Sequence, residues 1–127
     1  MLKDSKAFSG FAVRDLDVAK RFYGETLGLD VQAVEGNELL AQLNLAGDTT
    51  VLVYPKPDHE PATYTILNFP VADIESVVRD LKGKGVPFES YDMPELKTDD
   101  DSIMRGQGPK IAWFRDPSGN ILSVIES

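Results

Sequence analysis

The sequence predicts an α+β protein built from two βαβββ modules that form a cupped mixed sheet. Two observations lead to this prediction: a strand–helix segment occurs twice, and three further strand-like runs follow each copy. The length of 127 residues fits one domain. We therefore expect a single domain over residues 1–127, with modules at 5–55 and 64–126 joined by a proline-rich linker at 55–63.

The repeat is visible when Ala12–Tyr23 is aligned with Pro70–Leu81 at a constant offset of 58 residues. Each copy contains an aspartate, Asp15 or Asp73, whose side chain can accept hydrogen bonds from the free N–H groups of a first helical turn. Apolar residues follow at helical spacing in both copies. Each aspartate is therefore predicted to begin a helix that lies on a sheet.

Glycines and strand-like runs define the remaining elements of each module. Gly28 is suited to end the first helix, and Gly83 or Gly85 the second, because the residue after a helix often needs a positive φ. Turn residues separate the runs that we predict as strands. In the first module these runs are 6–13, 30–34, 38–45 and 49–55, and in the second they are 64–71, 86–91, 110–115 and 120–126.

The stretch 92–108 interrupts the second module and is predicted to be a mobile loop between two strands. It is long, acidic and contains glycine. The acidic triplet 99–101 lacks the alternating ligands, fixed glycine and closing glutamate of a calcium-binding loop. We interpret it as a solvated loop rather than a metal site.

Composition excludes several classes of function. The net charge of −8 disfavours nucleic acid as a partner and favours cationic ligands through long-range attraction. No apolar run approaches the ~20 residues that span a bilayer, so no membrane association is expected. The absence of cysteine excludes disulfides and thiolate metal sites, and a cytoplasmic location is the default expectation.

Two motifs extend this interpretation to a known family. Asp15–Leu29 reads D-L-x-x-A-x-x-F-Y-x-x-x-L-G-L, and Asp116–Leu122 reads D-P-x-G-N-x-L. With the paired modules, they make the chain similar to the vicinal oxygen chelate superfamily, which includes glyoxalase I, extradiol dioxygenases and bleomycin-resistance proteins. The resemblance implies a cupped sheet. In the metalloenzymes of the family it also implies one divalent ion, held by His, Glu or Gln from four strands.

The resemblance assigns the four metal-ligand positions to Phe8, Val53, Ile66 and Ser123. None of these side chains binds a divalent cation with useful strength. Their immediate neighbours in the sequence also lack His, Asp, Glu and Gln. We therefore expect neither a metal nor another cofactor, and an inward face that is apolar with hydroxyl groups at most.

Three other residues are candidates for binding or chemistry. Asn68 alternates with Ile66, so it is expected on the same inward face as a buried amide that needs hydrogen-bond partners. Trp113 is predicted either to pack in the core or to form an aromatic wall. His59, the only histidine, lies in the linker; we favour an exposed loop residue over a general base.

The predicted function is a metal-independent protein that sequesters a hydrophobic or cationic small molecule, as bleomycin-resistance proteins do. The alternative is a glyoxalase-like lyase, isomerase or dioxygenase with a relocated metal, held by Glu35, Glu38, His59 or the 99–101 acids. A regulatory module without a small ligand is a third possibility. A homodimer is expected by analogy with the family. The residues expected to contact the ligand are Phe8, Val53, Tyr54, His59, Ile66, Asn68, Trp113 and Ser123.

Overall fold

The computed structural model describes residues 1–106 and 108–127; Gln107, which belongs to the predicted loop, lies outside the described residues. The chain divides into two compact units, residues 1–60 and 61–127. Among these described residues, each unit contains one four-stranded mixed sheet and one α-helix, which confirms the predicted α+β class. Neither of these helices has the length and apolarity needed to cross a membrane.

In the first unit, the last strand lies inside the sheet. The sheet order is β1-β4-β3-β2, in which β4 runs parallel to β1 and antiparallel to β3. A short π-helical segment continues the helix before the chain enters β2. The elements are β1 (Ser9–Val13), α1 (Leu16–Arg21), the π-helical segment (Phe22–Thr26), β2 (Asp30–Val34), β3 (Asn37–Leu45) and β4 (Thr49–Pro55).

The second unit repeats this order, with short additional strands. Its main sheet is β5-β10-β9-β8, and a separate hairpin pairs β6 with β7. As in the first unit, the last strand runs parallel to the first and antiparallel to its other neighbour. The elements are β5 (Thr65–Val71), α2 (Ile74–Gly83), β6 (Asp92–Met93), β7 (Leu96–Lys97), β8 (Ile103–Met104), β9 (Ile111–Arg115) and β10 (Ile121–Glu126).

Both helices begin as the sequence predicts. Asp15 Oδ1 accepts a hydrogen bond from the Val18 amide at 3.1 Å, and Asp73 Oδ1 accepts one from the Ser76 amide at 3.3 Å. These bonds satisfy amide groups that have no partner within a helix. The first helix ends earlier than expected: the Leu27 amide donates to the Phe22 carbonyl at 2.9 Å, a five-residue spacing that defines a π-helical turn.

Two predictions for the second unit are wrong. Residues 86–91 do not form a strand; they run beside β9, with the Glu89 amide donating to the Trp113 carbonyl at 2.8 Å. Pro87 has no amide hydrogen, which prevents a continuous ladder there. The stretch 92–108 contains β6, β7 and β8 rather than only a loop, and β8 is the edge strand of the sheet beside β9.

The core of each unit lies between its sheet and its helix. In the first unit, Phe11 of β1 contacts Tyr23 of the π-helical segment, with ring centroids 5.5 Å apart. In the second, the ring of Phe114 on β9 lies 5.5 Å from that of Phe88, over which Lys82 of α2 places its ammonium group. Phe114 therefore marks the face of the second sheet that α2 covers.

The turn between β9 and β10 is organised by the buried carboxylate of Asp116. Its Oδ1 accepts hydrogen bonds from the amides of Ser118 and Asn120, both at 2.9 Å, and its Oδ2 accepts one from Asn120 Nδ2 at 3.0 Å. Gly119 adopts φ +88°, which glycine reaches without a steric penalty. These requirements explain why Asp116, Gly119 and Asn120 occupy their positions in the turn.

Candidate functional site

The second sheet has a face that α2 does not cover. Successive side chains of a strand point to opposite faces, so Trp113 points away from the face that contains Phe114. Trp113 is paired in register with Ser123 of β10, and Ser123 with Asn68 of β5. These three side chains therefore lie side by side on the face opposite α2.

Tyr91 extends this line beyond β9. Its ring meets that of Trp113 edge-on, with centroids 5.4 Å apart and an interplanar angle of 82°. We call Tyr91, Trp113, Ser123 and Asn68 the Trp113 row. The other three are among the ligand contacts expected from the sequence, whereas Tyr91 is not. The sequence signal for Tyr91 was its position two residues after Glu89, on the same side of an extended segment. The sequence did not show that this segment runs beside β9.

A hydrogen bond joins two members of the Trp113 row. Ser123 Oγ donates to Asn68 Oδ1 at 2.5 Å. Ser123 is fully buried, whereas Asn68 is exposed rather than buried as expected. The bond satisfies the buried hydroxyl and orients the amide at the edge strand β5.

Thr98 fixes the backbone that carries Tyr91. Thr98 Oγ1 accepts from the Tyr91 amide at 2.9 Å, and the Tyr91 carbonyl accepts from the Thr98 amide at 2.9 Å. Burial raises the pKa of the Tyr91 phenol above its ordinary value. The hydroxyl therefore stays protonated at neutral pH and can donate a hydrogen bond.

The charged residues next to the Trp113 row are paired with each other. Arg115, two residues after Trp113 on β9, forms an ion pair through Nε with Glu89, two residues before Tyr91. Its Nη1 also donates to the Gly119 carbonyl at 2.9 Å. This part of the face therefore presents aromatic, amide and hydroxyl groups beside a neutralised ion pair.

This fold and its sequence match a known family. A family model described as Glyoxalase/Bleomycin resistance protein/Dioxygenase superfamily matches residues 8–124. The chain belongs to this superfamily. No curated protein matches the sequence significantly. The resemblance drawn from the two sequence motifs is thereby confirmed at the level of the superfamily.

Solved structures of the superfamily include both binding proteins and enzymes. TnmS3, an antibiotic binding protein from Streptomyces sp. CB03234, is 24% identical with a TM-score of 0.69, and 97% of each chain is covered. Lactoylglutathione lyase from Agrobacterium tumefaciens is 19% identical with a TM-score of 0.67, covering 98% of this chain and 96% of the lyase. At these identities the similarity establishes the fold.

A third similar structure is a glyoxalase/bleomycin resistance protein from Streptomyces sp. CB03234. It is 25% identical with a TM-score of 0.62, and the match covers 94% of this chain and 99% of that protein. The family likeness therefore extends over nearly the full length of both chains.

The positions that the superfamily resemblance assigns to a divalent metal do not fit one. Ser123 is the only member of that set with a polar side chain, and its hydroxyl donates to Asn68. The pairing of β5 with β10 passes over Ile66, because Thr65 pairs with Ile121 and Leu67 with the next residue, Leu122. Alkyl and phenyl groups at the other positions offer no lone pair to a cation.

Val53 and Tyr54 point to different faces of the first sheet. Val53 pairs in register with Phe11, whose ring contacts Tyr23, and it is only 1% exposed. It therefore belongs to the core beneath α1, which differs from the expected inward position. Tyr54, the next residue, points to the opposite face and is 37% exposed. Phe8, one residue before β1, is 67% exposed.

His59 is buried, so its interpretation as an exposed loop residue is wrong. The residue is 8% exposed, and its Nε2 has no hydrogen-bond partner among the residues that the structure describes. Its amide donates to the Lys56 carbonyl at 3.0 Å, and its carbonyl accepts from Arg14 Nη2 at 3.4 Å. The backbone is therefore held in a turn of the first unit.

The acids considered for a relocated metal are engaged elsewhere or exposed. Asp99 pairs with Arg105 and accepts from two backbone amides, and Glu35 and Glu38 are exposed. Across the described residues, one other carboxylate group has suitable spacing: Asp73, Glu75 and Glu126, with ligand atoms within 4.8 Å of one another. Lys110 Nζ already supplies a cation there, 2.9 Å from Glu75 and 3.6 Å from Glu126.

Proposed function

We propose that this chain is a metal-independent small-molecule binding protein, similar in function to the bleomycin-resistance branch of its superfamily. It would sequester a hydrophobic or cationic compound. The observation that supports this most directly is the Ser123–Asn68 hydrogen bond, which lies beside the aromatic pair Trp113 and Tyr91 on the face free of α2. Binding sites commonly combine apolar and aromatic walls with a few oriented polar groups.

The chemistry of the assigned metal positions favours binding over the metal-dependent reactions of the superfamily. A hydroxyl that donates to a neighbouring amide takes the place of a metal-binding carboxylate at Ser123. Antibiotic binding by TnmS3, which shares the fold, adds support for a binding role. The alternative is a lyase, isomerase or dioxygenase with a relocated metal.

A ligand screen by thermal shift tests this proposal. A compound that binds only the folded state raises its stability by RT ln(1 + [L]/Kd), so hits raise the melting temperature in a concentration-dependent way. Hits should also change the fluorescence of Trp113, the only tryptophan of the chain. Trp113→Leu should weaken each hit, while the control Tyr64→Leu, at an exposed position outside the row, should not.

Elemental analysis of the purified protein separates the binding protein from the metalloenzyme. A stoichiometric divalent ion, whose removal abolishes an activity, would establish the enzyme and contradict our proposal. The predicted homodimer is a separate proposal, which sedimentation of the purified chain tests. A monomer would contradict the homodimer proposal.

A further inference from the structure

The Trp113 row has features that narrow the chemical class of its ligand. We propose that the row binds a neutral, planar aromatic compound that presents a hydrogen-bond acceptor, such as a ketone oxygen. This inference rests on the proposed binding function and refines it. Three properties of the row support it: the orientation of the Asn68 amide, the aromatic pair and the local balance of charge.

The amide of Asn68 determines the polar part of the ligand. One of the two lone pairs of its Oδ1 accepts from the Ser123 hydroxyl. Its Nδ2 carries two hydrogens and has no hydrogen-bond partner among the residues that the structure describes, and the residue is exposed. The side chain therefore offers two free N–H donors against at most one remaining acceptor lone pair, which favours a ligand with an acceptor oxygen or nitrogen. The protonated hydroxyl of Tyr91 is also a donor.

The aromatic side chains determine the shape of the ligand. Trp113 is half-buried, and Tyr91 meets it edge-on, so the two rings form a corner on the face. Aromatic rings pack well in offset-stacked or edge-to-face geometry, which favours a flat ring system as the third partner. The row lies across four neighbouring chain segments, and the three intervals between them add up to about 14 Å at the usual strand spacing. A fused-ring compound fits this length.

The local charges favour a neutral ligand over a cation. The acid next to the row, Glu89, is paired with Arg115. The net charge of −8 acts at long range and is screened beyond roughly 8 Å at physiological salt. A cation in the row would therefore lose hydration without gaining a carboxylate partner.

Matched tricyclic probes test this ligand class. Fluorene is the apolar reference, 9-fluorenone adds an acceptor oxygen, carbazole adds an N–H donor, and 9-aminoacridine adds a positive charge. We expect 9-fluorenone to bind about 5- to 10-fold more tightly than fluorene, as one net hydrogen bond predicts. Carbazole and 9-aminoacridine should bind no more tightly than fluorene. Isothermal titration calorimetry measures the affinities, and Trp113 fluorescence locates the site.

Asn68→Asp is the decisive variant. An aspartate keeps an acceptor oxygen for the Ser123 hydroxyl and replaces the two N–H donors with a second oxygen. The preference for 9-fluorenone over fluorene should disappear, and 9-aminoacridine should become the tightest of the four. Arg79→Gln on α2, the helix on the opposite face of the sheet, makes the same change of one unit of charge and should leave the order of affinities unchanged.

The possible outcomes separate this inference from the proposed function. Equal binding of fluorene and 9-fluorenone, tighter binding of carbazole or 9-aminoacridine to the native chain, or no binding of any probe would overturn the ligand class. The binding function would survive if the thermal-shift screen gave a hit that depends on Trp113. If the screen also gave no such hit, both proposals would fail.

Discussion

Arg105 Nη1 lies 2.8 Å from Glu75 Oε1, and this contact joins the segment after β8 to the first turn of α2. Arg105 Nε also lies 2.5 Å from Asp99 Oδ2, and Lys110 Nζ lies 2.9 Å from Glu75 Oε1. We call Glu75, Asp99, Arg105 and Lys110 the Glu75 cluster. It connects α2 to the segment that begins at Thr98, which in turn holds the backbone of Tyr91.

Removal of Arg105 should loosen the segment 98–104 without unfolding the second unit. Arg105→Met keeps most of the apolar stem but loses both ion pairs. We expect the Asp99 and Ile103 amides to exchange severalfold faster with deuterium, while amides of β10 keep their protection. Hydrogen exchange followed by NMR measures this. Lys97→Met, which removes a more exposed charge, is the control; equal acceleration in both variants would contradict the role of Arg105.

The Glu75 cluster should respond to acid below the ordinary range of glutamate. Hydrogen bonds from Lys110 and Arg105 lower the pKa of Glu75 from 4.5 to about 2. Because the folded-state value is lowered, the stabilisation is fully present above pH 4.5 and is lost as the pH falls towards 2. The difference in melting temperature between the native chain and Glu75→Gln should therefore shrink over this window. Carboxyl NMR measures the pKa directly, and a value near 4.5 would contradict the prediction.

Gly119 should be the more sensitive of two glycines in the second unit. Its φ of +88° disfavours a side chain, and a Cβ there would lie 3.1 Å from Pro61 Cγ. Gly119→Ala should lower the free energy of unfolding by about 2 kcal/mol. Gly83→Ala, at the end of α2 with open space around it, should be neutral or stabilising by about 0.5 kcal/mol. Urea unfolding compares the two, and equal effects would contradict this account.

Val53 should contribute to stability rather than to ligand binding. It is buried with Phe11 beneath α1, so Val53→Ala should lower the free energy of unfolding by about 2 kcal/mol. Phe8→Ser, at an exposed position, should change it by less than about 0.5 kcal/mol. Denaturant unfolding of both variants tests the assignment. A small change in the free energy of unfolding at Val53 would contradict its assignment to the core.

The sequence predicted those features that depend on local chemistry. Asp15 and Asp73 predict the starts of helices because capping involves only the next few residues. Asp116 predicts its turn for the same reason. The strand pattern of the first unit is also local and was predicted closely. The prediction for 86–91 failed because pairing with β9 is non-local and Pro87 interrupts the ladder.

The sequence anticipated part of the Trp113 row. Asn68 was expected on the inward face from strand alternation, Ser123 from the family resemblance and Trp113 from its predicted strand, and the structure brings all three onto one face. The line of contact from Trp113 to Tyr91 depends on how residues 86–91 return along β9, which no local pattern encodes. Burial of His59 likewise depends on tertiary packing around a linker that looks polar in the sequence.

The central position of β10 has a consequence for biosynthesis. The chain makes β5, α2 and β9 before the strand that lies between β5 and β9. A nascent chain therefore exposes the pairing edges of both strands until β10 emerges, while the first sheet needs nothing beyond β4. Unpaired strand edges can pair with other chains and so promote aggregation. Chaperone protection during translation should accordingly matter most in the interval before Ile121–Glu126 leaves the ribosome.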